Sequence, residues 1–345
     1  MDSKYKNKGL SGLSNLGNTC YINSCMQIIS HTYELNDFLD SEKYKKNLKK
    51  HKKVVDYKLL SEWDNLRKLI WSKNCIISPN KFIKTVHQIA EIKGQELFTG
   101  YSQNDVTEFL LFIIDSLHNS ISREITMTVS GNVENEMDKM AVKCFEMIKN
   151  MYSKEYSEIW NLFYGIHVSE IYSSNNTKLQ MTPEPFLMVD LPIPENNKSP
   201  SLIDCFNHYV KGEILEGENA WYNEETKQKE NIIKKISFWS FPTILIIDLK
   251  RFNSRNIKNQ IYISFPLDNL DLSEYVVGYK KNNYIYDLYG VCNHSGGVLG
   301  GHYTSYVKNA NGKWYHFNDT TVNEVSLIDT IVSPKAYMLF YRKRI

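Results

Sequence analysis

Apolar positions in the first third of the chain recur at helical spacing. Ile22, Cys25, Met26 and Ile29 fall at i, i+3, i+4 and i+7 and predict one face of a buried helix beginning near Cys20. The same spacing runs through Leu59–Trp71, Phe82–Ile92 and Val106–Leu117, with Ser78-Pro79 as a start signal ahead of the second, so residues 10–120 read mostly helical. From about residue 162 the period changes to two and short alternating strands dominate. Residues 121–160 between them read as a helical connector or insertion, and the methionines of Met137–Met151 as core rather than cofactor contacts. Asn196–Ser201 and Asn253–Asn259 read as loops, and no internal repeat is visible.

Two segments near opposite ends carry candidate chemistry. Asn18 or Thr19 is a suitable N-cap, which places Cys20 in the first turn, where free backbone N–H groups and the positive end of the dipole favour a thiolate. The competing reading makes Cys20 a small buried core residue. His302 opens an alternating run with Thr304 and Tyr306, and a second run from Trp314 to Asp319 follows a turn rich in Asn and Gly, which together predict a hairpin. Antiparallel pairing brings His302 opposite the stretch holding Asn318 and Asp319, so that a side-chain oxygen there fixes the imidazole tautomer. A hairpin centred on Ala310 sets Asn318 opposite His302; a slip of one residue substitutes Asp319.

The segments GLSNLGNTCYINS at 12–24, GYSQNDVTEFLLFIIDSLH at 100–118, FPTILIIDLKRF at 241–252, GGHYTSY at 300–306 and GKWYHFND at 312–319 stand in the order found in the ubiquitin-specific proteases, papain-like deubiquitinating enzymes. The resemblance runs from Gly9 to about Lys343 and implies an α+β, papain-like fold with a helical thumb and an antiparallel β palm and fingers. It implies a tail over residues 1–9 and one catalytic domain over 10–345, with thumb about 10–120, connector about 121–160, and fingers and palm about 161–345. It makes Cys20 the nucleophile, His302 the general base and acid, and Asn318 the orienter, with Asp319 as second candidate. Asn15 then donates its amide to the oxyanion together with the Cys20 backbone N–H; its plainer reading is a turn-former beside Gly12 and Gly17.

The implied reaction is hydrolysis after the C-terminal glycine of ubiquitin through a Cys20 thioester. Gln103, Asp105 and Glu108 are expected at the substrate tail, with the two carboxylates holding its arginines; Asp105-x-x-Glu108 also has the spacing of a helix capping box. Asn104 stands where the family usually has Gln. Gly296, Gly297, Gly300 and Gly301 make a poor phosphate loop, since no helix and no Lys-Ser/Thr follow, and read better as a loop without bulk over the substrate channel. Tyr303 is expected to pinch a Gly-Gly tail there, and His294 to contact ubiquitin or to serve as a polar loop residue. Ser173, Asn176, Asn223 and Thr226 stand where many members carry four zinc-binding cysteines, so no metal and no cofactor is expected. A catalytically silent ubiquitin-binding module and a protease for another ubiquitin-like modifier are the alternatives in function.

Composition narrows the setting. With 345 residues, 42% hydrophobic and 23% charged, the chain is an ordinary globular protein with ample core. No stretch approaches the roughly 18 apolar residues of a membrane span, and Met1–Lys8 lacks a signal-peptide core. Six cysteines without framework spacing read as reduced thiols, and acceptor patterns at Asn293 and Asn318 would place sugar on the proposed site. The expected setting is intracellular, cytoplasmic or nuclear, in a host cell if the source is a virus or parasite, as the Asn, Lys, Ile and Tyr bias hints. The basic run from Lys43 to Lys58 reads as a solvated helix face or an insertion and not as a nucleic-acid surface, and the protein is expected to be a monomer whose partners are ubiquitin and ubiquitinated proteins.

Overall fold

The computed structural model describes residues 3–45, 55–224, 226–297 and 300–344. Most of the basic run, residues 46–54, lies outside the described residues. The chain enters through β1 (Gly12–Leu13), which pairs in parallel with β2 (Ile76–Ile77). Gly17 at φ +107° and Asn18 at φ +54° then turn it sharply into α1 (Cys20–Ser30). All 11 residues of α1 are buried, so the apolar face read from sequence is only part of what this helix conceals. Around it stand α2 (Tyr33–Asp40), for which the sequence reading gave no span, and α3 (Tyr57–Ser72), α4 (Asn80–Ile92) and α5 (Val106–Ile121), close to the spans that the periodicity predicts. The connector contains α6 (Glu136–Tyr152) and α7 (Glu158–Phe163), and it closes on itself where the backbones of Arg123 and Tyr156 exchange both hydrogen bonds. Met140 is buried beside Cys144, Trp160, Val168 and Trp239, and Met137, Met147 and Met151 pack on that cluster, which accounts for the methionines as core.

The strands form two main sheets. β3 (Gly165–Ser173) and β4 (Lys178–Phe186) make a long hairpin, followed by β5 (Met188–Leu191). Then come α8 (Leu202–Val210), β6 (Glu213–Leu215), β7 (Trp221–Asn223), β8 (Gln228–Glu230), β9 (Ile232–Ser240) and β10 (Ile244–Leu249). β11 (Leu270–Asp271), β12 (Ile285–Gly297), β13 (Gly300–Lys308), β14 (Trp314–Asn318), β15 (Thr321–Glu324) and β16 (Ala336–Lys343) complete the chain. The fingers-like sheet has the order β4-β3-β9-β6; the larger one runs β15-β14-β13-β12-β16-β10-β5, with β11 on β12.

The central strands of the larger sheet are buried on both faces, and alternation along β10 shows how. Ile244 and Ile246 join the core around α1, whereas Leu245, Ile247 and Leu249 join a second core around α8. Helix α8 lies inside the half that sequence periodicity assigns to strands. Its signal was a capping box: the Ser201 side chain accepts from Asp204 N at 3.1 Å, and the Asp204 carboxylate accepts from Ser201 N at 2.8 Å. Gly290 lets α1 approach the sheet, since a Cβ there would lie 2.5 Å from Ile28.

At the fingers tips the four positions aligned with zinc ligands sit in hydrogen-bonded turns. The Ser173 hydroxyl accepts from Thr177 N at 3.1 Å; Asn223 Nδ2 donates to Glu230 at 2.9 Å, and Thr226 Oγ1 donates to the same carboxylate oxygen at 2.5 Å. Glu230 thus ties the second turn together with hydrogen bonds. Metal analysis of the purified protein should find no stoichiometric zinc, and one zinc per chain would overturn this account.

Candidate active site

Cys20 is the first residue of α1 and is 3% exposed. The expected N-cap is present in position but not in bonding: Thr19 precedes the helix, and its Oγ1 accepts from Leu16 N at 2.9 Å instead of capping α1. The thiol departs from expectation as well. Burial pushes its pKa up, the Tyr303 backbone N–H opposes this, Asp319 adds to it, and the N–H groups of Tyr21 and Cys20 oppose it; the net direction is upward. Helix position alone therefore does not produce a standing thiolate, because desolvation outweighs the N–H groups.

His302 lies on β13, which packs against α1. Its Nε2 is 2.7 Å from Asn318 Oδ1. An amide oxygen only accepts, so Nε2 carries the proton and Nδ1 is the nitrogen able to receive one. The register differs from the sequence reading by two: Ser305 faces Phe317 and Lys308 faces Trp314, which centres the hairpin on Asn311. A shift of two residues keeps the same face toward α1, and Asn318 reaches His302 along the diagonal.

Asp319 has a different task from the one considered for it. It sits at φ +47° in the turn between β14 and β15. Its Oδ2 accepts from Asn15 Nδ2 at 3.1 Å and its Oδ1 from Asn23 Nδ2 at 2.8 Å, so both oxygens are engaged by donors other than His302. Asn15 is held from its other end, where Oδ1 accepts from Gly17 N at 3.0 Å and Thr19 N at 3.1 Å. Those bonds fix which way the amide points and leave one N–H of Nδ2 uncommitted. Asn23, buried on α1, escaped the sequence reading; only its position three residues after Cys20 marked it.

Next to this centre is a cleft of about 420 Å³ lined by Gln103, Asp105, Glu108, His294, Gly301 and Tyr303 among others. All six substrate-binding candidates thus share one wall system, with unequal freedom. Gln103 bridges to Gly301, donating to its carbonyl at 3.1 Å and accepting from its N–H at 2.9 Å. Asp105 is the N-cap of α5, accepting from Thr107 N at 2.7 Å, and its second oxygen accepts from Tyr337 OH at 2.8 Å and Tyr303 OH at 3.4 Å. Tyr303 is therefore a buried support of Asp105, stacked on His294, rather than a free pincer. Glu108 is exposed and forms no capping box with Asp105, so among the described residues its carboxylate is the uncommitted acid of the pair. Asn104 Nδ2 is spent on Leu97 O at 2.7 Å and Tyr21 OH at 3.2 Å.

Beneath Asp105 lies an acid pair that sequence pattern did not single out, because each member sits inside an apolar strand, one residue before its last leucine. Asp248 on β10 faces Asp190 on β5, and burial, then the charges of Asp190 and Asp105, raise Asp248 to about 7. An unfolded Asp ionises near 3.8, so from about pH 4 to 7 the folded chain keeps a proton the unfolded chain has lost. Stability contributed by that proton is full below pH 4 and is lost as pH rises through 7. Asp248→Asn should flatten this slope and raise stability at pH 8 by on the order of 2 to 4 kcal/mol, with Asp190, also raised by burial, supplying what slope remains. Denaturant unfolding at pH 5 and pH 8 checks it, and an unchanged slope in the variant would sink the assignment.

Among the described residues no group of His, Cys, Asp and Glu has the arrangement of a metal site, and no helix is long and apolar enough to cross a membrane. The profile of the ubiquitin carboxyl-terminal hydrolase family matches residues 11–341. Ubiquitin carboxyl-terminal hydrolase 2 of Homo sapiens is 35% identical over 343 residues, which is 97% of this chain and 55% of that protein. The Gallus gallus protein of the same name is 34% identical over 343 residues, 97% of this chain and 93% of its own length. The chain thus spans about half the length of the mammalian relatives it matches. Among solved structures it resembles the SAGA Ubp8/Sgf11/Sus1/Sgf73 DUB module bound to ubiquitin aldehyde, with a TM-score of 0.74, 26% identity, and coverage of 99% of this chain and 71% of that one.

Proposed function

The chain belongs to the ubiquitin carboxyl-terminal hydrolase family, and from that premise we propose that it is a deubiquitinating cysteine protease acting through Cys20. The observation that carries the reading is the His302 Nε2 to Asn318 Oδ1 bond at 2.7 Å, which presents a basic Nδ1 on the strand packed against the start of α1. Burial keeps Cys20 a neutral thiol at rest, so Nδ1 takes its proton as sulfur attacks the carbonyl of the ubiquitin C-terminal glycine. The free N–H of Asn15 and the Cys20 backbone N–H receive the oxyanion. His302 then protonates the leaving amine and deprotonates the water that hydrolyses the thioester.

The cleft beside the centre is the path for ubiquitin's C-terminal tail. Glu108 pairs with a tail arginine there, and Asp105 contributes charge from beneath while capping α5. In this reading residues 10–120 form the thumb, about 121–160 the connector, and the remainder the fingers and palm. The partners are ubiquitin and ubiquitinated proteins, the acting unit is a monomer, and the setting is the cytoplasm or nucleus.

Ubiquitin bearing an electrophilic C-terminus tests this. Wild-type protein should be captured covalently and Cys20→Ala should not. Binding without capture would make the chain a silent ubiquitin receptor, and preferential capture by another modifier's probe would make it a protease for that modifier.

A further inference from the structure

We propose that Lys258 sets the tautomer of His294 and thereby makes that imidazole a neutral hydrogen-bond donor to a backbone carbonyl of the substrate tail. The inference rests on the tail-binding reading of the cleft and assigns one of its recognition contacts, with Lys258 as a positioning residue.

Lys258 closes the loop after Phe252, with which it forms an isolated antiparallel bridge. Its Nζ lies 3.0 Å from His294 Nδ1 and 2.6 Å from the His294 carbonyl oxygen. An ammonium has donors and no acceptor, so Nδ1 must accept and the ring proton sits on Nε2. The ring itself is fixed: it stacks on Tyr303 at 4.6 Å and is flanked by Phe252 at 5.9 Å and Tyr337 at 5.7 Å.

His294 is only 4% exposed, yet among the described residues Nε2 has no hydrogen-bond partner. It lies against Gly301, where a Cβ would come within 2.2 Å of it, and His294 and Gly301 line the same cleft. Nε2 edges the cleft and is not sealed in the core, and an extended tail passing along the Gly301 wall supplies carbonyls of the kind that would accept from it. The absence of a side chain at Gly301 is what admits the edge of the His294 ring to this wall of the cleft.

The charges agree with this pattern. Burial and the neighbouring Lys258 hold His294 down to about 4, so the ring stays neutral in the physiological range. Burial and Arg251 bring Lys258 down to about 8, which leaves it mainly protonated at pH 7. Without that ammonium, Nδ1 is free to carry the proton. Nε2 then turns a lone pair toward the tail carbonyl, and attraction becomes repulsion.

The test combines imidazole nitrogen NMR with kinetics on a fluorogenic ubiquitin amide, using wild type, Lys258→Met and Lys258→Arg. Wild-type His294 should show the Nε2–H pattern, and Lys258→Met should shift it toward Nδ1–H. KM should rise about 10-fold in Lys258→Met with kcat changed less than about threefold, and Lys258→Arg should restore much of the KM. An Nδ1–H pattern in wild type overturns the inference without any variant, even if Lys258→Met fails to fold. Equal KM values overturn it as well, as does a loss confined to kcat. Wild type inert toward ubiquitin substrates would instead remove the proposed function, while the NMR pattern would still decide what Lys258 does.

Discussion

Replacing His302 with alanine should lower kcat/KM by roughly 100- to 10,000-fold and change the pH dependence of what activity remains. The thiol of Cys20 sits above its ordinary value of 9.0 because burial and the Asp319 charge outweigh the Tyr303, Tyr21 and Cys20 backbone N–H groups. Without an acceptor for its proton, sulfur becomes a nucleophile only as solvent removes that proton. The residual rate of His302→Ala should therefore keep climbing through alkaline pH with no plateau near neutrality. Cys20→Ala has no such alkaline limb and should show no turnover at any pH. A His302→Ala profile parallel to wild type would mean that another base serves Cys20. Asn318→Ala should lose less, since it frees the ring without removing it; Asn318→Asp retains an oxygen acceptor for Nε2–H and should stay close to wild type.

The second large effect belongs to Asn15. Asn15→Ala is expected to cost on the order of 100- to 1000-fold in kcat with KM little changed, the signature of a donor used only when negative charge develops on the substrate oxygen. The geometry that makes this specific is the anchoring of Oδ1 by Gly17 N and Thr19 N together with the bond from Nδ2 to Asp319, which leaves a single N–H unspent. Asn15→Asp preserves the shape but replaces the donor with a second carboxylate facing Asp319, so it should fare no better than alanine. Asp319→Asn tests the support: it should lose less than Asn15→Ala and should not change the pH dependence attributed to His302, because Asp319 bonds Asn15 and Asn23. If Asn15→Ala lowered only thermal stability, Asn15 would be the turn-former of the plainer reading.

Much of this site could be read along the chain because its chemistry depends on residue type and local order. Apolar periodicity located α1, α3, α4 and α5, since a helix face has to meet a core wherever that core lies. The alternating runs on either side of Asn311 gave a hairpin, and with it the proximity of His302 and Asn318, because pairing across a short turn is itself a local matter.

What remained hidden depends on which groups compete for the same atom, and competition is set by distant parts of the chain. The carboxylate of Asp319 could have oriented His302; Asn15 and Asn23, some 300 residues earlier, take both of its oxygens. Asp105 could have been wholly a substrate group, but Thr107, Tyr303 and Tyr337 claim it. A thiol at a helix start should be acidic by its backbone alone, and burial between α1 and the sheet reverses the direction. Lys258 and His294 look like unrelated loop residues until the fold sets them 3.0 Å apart. Sequence by itself therefore determined the helices of the first third that show an apolar face, the hairpin and the kinds of side chain available for catalysis. Only the tertiary structure decided their partners, protonation and orientation, because hydrogen-bond capacity and desolvation are properties of the packed surroundings.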